Sequence, residues 1–174
     1  MKEDKVIFGL DIGTTKIVCL AGRLNEHGKL EIMGLGKSKS LGVKRGIVNN
    51  IMQTVESINH SVQILKQKTN LDIKEVCTGI AGQHIRSLQH QDYITRENPE
   101  KFIDSHDVEL LHKNVKKLIL LPGEEIIHVL AQEYKIDGET EIKQPEGMYG
   151  SRLEASFHIV AGQTAAIRNI TRCV

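Results

Sequence analysis

Aromatic residues are scarce in this sequence, and tryptophan is absent altogether. The 174 residues include only three Phe and three Tyr, which is 3% of the chain. Proteins that hold single-stranded nucleic acid usually stack its bases on aromatic side chains. The charges are also nearly balanced, since 23 Lys and Arg oppose 22 Asp and Glu. The composition therefore argues against a nucleic-acid surface and against general attraction to an anionic membrane.

Cysteine and long apolar runs are also in short supply. The three cysteines, Cys19, Cys77 and Cys173, form no C-x-x-C pair, which disfavours a disulfide framework and a thiolate zinc site. The longest apolar run surrounds residues 118–121, well short of the roughly 20 residues that a membrane-spanning helix needs. The charged N-terminus, residues 1–5, lacks the hydrophobic region of a signal peptide and leads straight into a strand. We expect a protein of the reducing cytosol.

Several familiar motifs do not occur. The Walker pattern, G-x-S-x-G and H-E-x-x-H are all missing from the sequence. Gly34-Leu35-Gly36 begins like a dinucleotide-binding motif, but Lys39 stands where the third glycine belongs. His128 and His158 could meet across a predicted sheet, and we favour a pair of surface histidines over a metal site.

Hydrophobic periodicity indicates an α/β first section, and the turns between its strands are short. It predicts three strands, a loop, a helix capped by Asn49 or Asn50, and a further strand. In chain order, these elements cover residues 6–10, 16–22, 30–35, 36–46, 51–65 and 73–81. Three closely spaced strands indicate an antiparallel meander, and the helix provides a crossover to the fourth strand.

The second section predicts a strand, a helix and two more strands. The strands cover residues 86–93, 126–136 and 152–160, and the helix, capped by Ser105, carries an apolar stripe as far as Leu118. The last strand alternates strictly, which is typical of a sheet with one wet face. Its predicted inward residues are Leu153, Ala155, Phe157 and Ile159. Its predicted outward residues are Arg152, Glu154, Ser156 and His158. Residues 164–174 again have a helical pattern.

The strongest local signal is a polar turn between the first two strands. A buried strand leads to Asp11, and then Gly13, Thr14 and Thr15 precede Lys16 at the start of the next strand. Glycine allows close approach of a ligand to the backbone, and successive N–H groups in such a turn can bind one anion. Asp11 could hold Mg²⁺ directly or through water. The same residues also fit a hairpin whose turn merely faces solvent.

Beyond these patterns, the stretch from Gly9 to Lys16 resembles the first phosphate loop of the actin-like ATPases, which include actin, DnaK-type chaperones and sugar kinases. Further stretches narrow the resemblance to FtsA, a bacterial cell-division family. They are residues 34–36, 42–49, 79–85, 128–137 and 142–154. The resemblance covers essentially the whole chain in order. Two residues depart from the family pattern, which commonly has Pro at the position of Ala131 and usually has Gly at that of Glu141.

The resemblance implies an α/β architecture of two subdomains. Residues 1–82 would form the actin-like, ribonuclease H-like subdomain 1A, and residues 83–162 the small strand–helix–strand–strand (SHS2) subdomain 1C. Residues 163–174 would begin a helix that leads to the remainder of a longer protein. A genuine C-terminal helix is the alternative.

The resemblance also implies a function in cell division. ATP would bind through Gly13, Thr14, Thr15 and Lys16, with Mg²⁺ held by Asp11, and hydrolysis would be weak or absent. Subdomain 1C would contact later division proteins and other copies of the protein through Arg152, Glu154, Ser156 and His158. The remainder of the protein would bind FtsZ and attach to the cytoplasmic face of the inner membrane at the division site. An actin-like pilus-assembly protein and the N-terminal domain of a sugar kinase are the alternatives.

Overall fold

The computed structural model describes residues 6–174, so the charged segment of residues 1–5 lies outside the described residues. The chain forms two compact units. One runs up to His84 and includes Ala165–Val174, and the other comprises Ile85–Thr164. Among residues 6–174, no helix is both long and apolar enough to cross a membrane.

The first unit contains a four-stranded sheet with the order β3-β2-β1-β6. Its elements up to residue 84 are β1 (Ile7–Ile12), β2 (Lys16–Leu24), β3 (Leu30–Lys39), β4 (Val43–Lys44), β5 (Ile47–Val48), α1 (Ile51–Thr69) and β6 (Cys77–Thr78). The first three strands form the predicted antiparallel meander, and β6 pairs with β1 in parallel after the α1 crossover. The mixed α/β fold predicted from the sequence is therefore confirmed.

Helix α1 has the predicted start, and Asn50 is the cap. The Asn50 side chain accepts a hydrogen bond from the backbone N–H of Gln53 at 3.1 Å. Lys66 and Lys68 lie in the last turn, where positive charge suits the helix dipole. The helix packs on β2 and β3 through a cluster of buried residues that includes Ile17, Cys19, Ala21, Ile58 and Leu65.

Two predictions for this unit were wrong in extent. The loop expected from residue 36 begins later, because β3 continues along β2 as far as Lys39. Residue 36 is glycine in this strand because α1 crosses it closely: a Cβ on Gly36 would lie 1.9 Å from the Ser61 carbonyl oxygen. The strand expected over residues 73–81 is only Cys77–Thr78, which pairs with Gly9 and Leu10.

The second unit contains another four-stranded sheet, with the order β7-β10-β8-β9. Its elements are β7 (Ile85–Thr95), α2 (Ser105–Val115), β8 (Glu124–Ile136), β9 (Glu139–Ile142) and β10 (Arg152–Gln163). The last strand in sequence is thus central, and it is antiparallel to both β7 and β8. The final helix, α3 (Thr164–Cys173), contributes Ile170 and Cys173 to the core of the first unit.

The alternation predicted for β10 is confirmed. Its four inward residues are at most 2% exposed and join Leu111 and Val115 of α2 in one core. Helix α2 is capped by Asp104 rather than Ser105, because the Asp104 carboxylate accepts from the N–H groups of His106 and Asp107. The helix ends at Val115, short of the predicted Leu118, and β9 was not predicted at all.

Candidate functional site

The turn between β1 and β2 is closed by a backbone hydrogen bond from Gly13 N–H to the Lys16 carbonyl oxygen at 3.1 Å. A Cβ on Gly13 would lie 2.8 Å from that oxygen and 3.8 Å from Asp11 Oδ2. Glycine is therefore needed for the closure, and the carboxylate of Asp11 lies beside the turn. Thr14 and Thr15 form its exposed tip.

The tip of the turn has unused hydrogen-bond donors. Within residues 6–174, the backbone N–H groups of Thr14 and Thr15 donate to no protein group, whereas the Thr15 carbonyl oxygen accepts from Ser40 N–H at 3.2 Å. Neither threonine hydroxyl has a partner in the same part of the chain. Adjacent free N–H groups beside hydroxyls can bind a phosphate oxygen.

Asp11 and Lys16 share an open cavity of about 430 Å³ on one face of the sheet. Gly9, Val18 and Gly79 also line this cavity. Asp11 is exposed and makes no hydrogen bond or ion pair with any described residue. The structure thus brings together the acidic and basic ends of the predicted phosphate loop, with the carboxylate free.

The described residues contain no group of three or more His, Cys, Asp or Glu that could hold a metal ion. A single carboxylate such as Asp11 fits Mg²⁺ that is bound mainly by water and by ligand phosphates. Asp11 and the turn therefore fit a nucleotide-bound Mg²⁺ better than a metal held by protein side chains.

The four predicted contact residues lie along the outer face of β10. The Arg152 guanidinium lies 3.9 Å from the centre of the Tyr93 ring, and its Nε lies 3.1 Å from Glu154 Oε1. Ser156 accepts from the Gln91 side chain at 3.3 Å, and His158 Nδ1 lies 3.3 Å from Gln89 Nε2. We call this surface, together with Leu130 of β8, the outer face of the second unit.

The sequence pattern did not identify Tyr93 and Leu130 as members of this face. Both are about half exposed, and they pair with Glu154 and His158 respectively. The alternation of β7 could have identified Tyr93 once its pairing with β10 was known. His128 pairs with Val160, so the two histidines are diagonal neighbours on the outer face rather than a directly opposed pair.

Comparison with known proteins identifies a domain that corresponds closely to the second unit. The family model described as "SHS2 domain inserted in FTSA" matches residues 82–161. Among solved structures, a chain of a "PilM-PilN type IV pilus biogenesis complex" has a TM-score of 0.54 at 12% identity, covering 96% of this chain and 43% of that one. At that identity the likeness concerns the fold alone. The fold is actin-like and includes an SHS2 domain.

The sequence relatives are cell division proteins. The cell division protein FtsA of Pseudomonas aeruginosa is 37% identical over 174 residues, and that of Neisseria meningitidis serogroup B is 34% identical over 173. These matches cover 100% and 99% of this chain, and 41% of each relative. These relatives and the SHS2 match confirm the resemblance to the FtsA family of cell division proteins, and the chain spans about two fifths of the length of these relatives.

Proposed function

We propose that residues 11–16 form the phosphate side of an ATP site in an actin-like cell division protein. The observation that carries this proposal is the pair of unbonded N–H groups of Thr14 and Thr15 at the tip of a glycine-closed turn. The Thr14 and Thr15 hydroxyls and Lys16 would add donors to the phosphates. Asp11 would orient the water shell of Mg²⁺, which would neutralise phosphate charge. In line with the family resemblance, ATP would serve as an assembly ligand, and we assign no residue here to its hydrolysis.

The test is ATP affinity in the longer protein that we propose contains this chain. Asp11→Asn removes the free carboxylate without a change of size and should weaken Mg²⁺-dependent ATP binding at least tenfold, or about 1.4 kcal/mol. Gly13→Val should abolish binding, but its Cβ also meets the Lys16 carbonyl, so the Asp11 variant gives the cleaner result. Glu26→Gln, at an exposed turn of the same unit, is the matched control. Unchanged Mg²⁺-ATP affinity in Asp11→Asn would contradict the proposal.

We further propose that the outer face of the second unit contacts protein partners, namely other copies of the protein and later division proteins. Arg and Tyr are enriched where binding energy concentrates in interfaces, and here they are already stacked on each other. The flat array of side chains from three strands suits contact with a protein surface more than enclosure of a small molecule.

Exchanging the charges of Arg152 and Glu154 tests this surface. The double variant Arg152→Glu, Glu154→Arg keeps the net charge and should cost about 1 kcal/mol of stability at most, from loss of the Tyr93 stacking. It should reduce sedimentable polymer of the longer protein several-fold. The matched control exchanges Glu109 and Lys113, which are exposed on α2. Equal polymer in both double variants and the wild type would rule out this face as the self-contact.

We propose that, in the cell, the protein lies at the cytoplasmic face of the inner membrane at the division site. Parts of the protein beyond these residues would bind FtsZ and attach to the membrane. A pilus-assembly role is the second candidate, favoured only by the shared fold. Localisation of a fluorescent fusion to the division septum, rather than to pilus bases, would decide between them.

A further inference from the structure

A second cavity is lined by residues of the β1–β2 turn, the edge strand β3 and helix α1. Its volume is about 630 Å³, which is within the usual range for small-molecule sites. Lys16, Lys37, Lys39 and His60 line it, and Glu56 is the one acidic residue among those that do. The cavity shares Lys16, but not Asp11, with the cavity of the proposed ATP site.

The positive charge of this cavity is not balanced by the protein. Among residues 6–174, none of Lys16, Lys37 and Lys39 forms an ion pair. Lys16 and Lys39 are directly opposed on neighbouring strands, an arrangement that destabilises a sheet. Like charges lining a cleft concentrate the positive potential there and attract anions.

A buried hydroxyl beside this cavity also lacks a partner. Ser40 is 8% exposed, and its Oγ makes no hydrogen bond to any described residue. Its neighbours Lys39 and Leu41 both line the cavity, and its own N–H donates to the carbonyl of Thr15, a third lining residue. The two serine hydroxyls that line the cavity are committed: Ser38 donates to the Ser57 carbonyl at 2.7 Å, and Ser57 accepts from Leu41 N–H at 3.2 Å.

We propose that this cavity, bounded by Lys37, Lys39 and His60, binds a phosphate-bearing ligand that is distinct from the nucleotide of the proposed ATP site. Lysine ammonium groups are point charges suited to phosphate. Ligand binding would neutralise the opposed lysines, so occupancy should stabilise the end of the β2–β3 hairpin. The proposal goes beyond the ATP site and does not depend on it.

The test is calorimetric titration of residues 1–174 with pyrophosphate in EDTA, where Mg²⁺-dependent binding is suppressed. Saturable binding is expected, and Lys37→Gln with Lys39→Gln should weaken it at least tenfold. The matched control, Lys29→Gln with Lys44→Gln, removes two exposed lysines elsewhere in the unit and should change affinity less than twofold. Asp11→Asn should also change it less than twofold.

Three results would overturn the proposal: no saturable binding, equal weakening in the control pair, or loss in Asp11→Asn with the Lys37 and Lys39 variant unaffected. The last result would place the phosphate in the turn and leave the ATP proposal standing. If the lysine variant does not fold, amide NMR of the unmodified chain decides instead. Pyrophosphate should shift residues 37–41 and 56–60, and shifts confined to residues 11–15 would overturn the proposal.

Discussion

Glu141 occupies a backbone conformation that suits glycine. Its φ is +64°, in the left-handed region, and its N–H donates to Glu133 Oε1 at 2.6 Å. The FtsA resemblance indicated that Gly is usual at this position, and the positive φ provides the physical reason. A non-glycine residue there costs about 1 kcal/mol.

We therefore predict that Glu141→Gly stabilises the second unit by about 1 kcal/mol, because it removes the strain and keeps the backbone hydrogen bond. Urea denaturation measures the change. Glu139→Gly, in the same strand but without a positive φ, should be destabilising by a similar amount. Equal effects of the two substitutions would show that strain at residue 141 is negligible.

His112 makes the second unit sensitive to acid. Its Nε2 lies 3.2 Å from the Tyr134 hydroxyl, and its ring packs edge-on against Phe157. Burial, with a smaller effect of Lys116, lowers the pKa of His112 below its ordinary value of 6.5. The native state thus holds the neutral ring, while the unfolded chain protonates it near pH 6.5, so stability is present above that pH and lost as the pH falls below it.

We predict that His112→Gln reduces the loss of stability between about pH 7.5 and pH 5.5. His106→Gln, an exposed histidine of the same helix, should leave that loss as in the wild type. Denaturant midpoints at the two pH values provide the comparison. Part of the loss should remain, because burial also lowers the pKa of His84 in the first unit. A His112→Gln profile identical to that of the wild type would contradict the assignment.

At the scale of elements, the contact between α1 and β3 depends on glycine. A Cβ on Gly36 would meet the backbone of Ser61 at 1.9 Å and that of Leu65 at 2.8 Å. A Cβ on Gly34 would meet only side chains, namely those of Thr69 at 2.4 Å and Leu65 at 3.1 Å. Side chains can rotate away, whereas the helix backbone cannot move without shifting the whole helix.

We predict that Gly36→Ala destabilises the chain by about 3 kcal/mol and Gly34→Ala by about 1 kcal/mol. Gly9→Ala is the control, since a Cβ there meets nothing within 4 Å. Thermal or urea unfolding of the three variants gives the ranking. If Gly36→Ala lowers the free energy of unfolding no more than Gly34→Ala does, α1 can move away from β3 more easily than this close contact indicates.

Elements with strong local patterns were predictable from sequence, and those defined by pairing were not. The meander, α1, α2 and β10 each carry their own periodicity. The short β6 and the polar β9 are defined only by pairing with neighbouring strands. The central position of β10 in its sheet is not visible in its own sequence.

The outer face depends on one such non-local feature. A bulge between Ser156 and Phe157 shifts the pairing of β8, so that Ala131 rather than Gln132 lies opposite Phe157. Since side chains alternate every residue, this shift moves Leu130 from the inner to the outer face. The proposed phosphate loop, by contrast, is contiguous in sequence, and so its candidate residues could be identified without the fold.

At the scale of the whole molecule, each unit has its own core. The ten-residue buried cluster of the second unit lies entirely between Ile94 and Ile159, and α2 covers its sheet. All three tyrosines, Tyr93, Tyr134 and Tyr149, also lie in this unit. Because the chain has no tryptophan, near-ultraviolet signals from tyrosine report on this unit alone.

We predict that residues 83–164 fold on their own. The isolated segment should show a cooperative urea transition and retain the near-ultraviolet circular dichroism of buried Tyr134 that the whole chain displays. A non-cooperative transition with no such signal would show that the unit needs the rest of the chain. A segment ending at residue 150, which lacks β10, is the unfolded control.

The central position of β10 has a consequence for synthesis. β7 and β8 are both synthesised before β10, the strand that must lie between them. At about 5–20 residues per second, the 68 residues from the end of β7 at Thr95 to the end of β10 at Gln163 take roughly 3–14 s. During that interval, β7, and later β8, lack the central strand that pairs with both of them. Slow translation within residues 96–163 should therefore increase the dependence of the nascent chain on ribosome-associated chaperones.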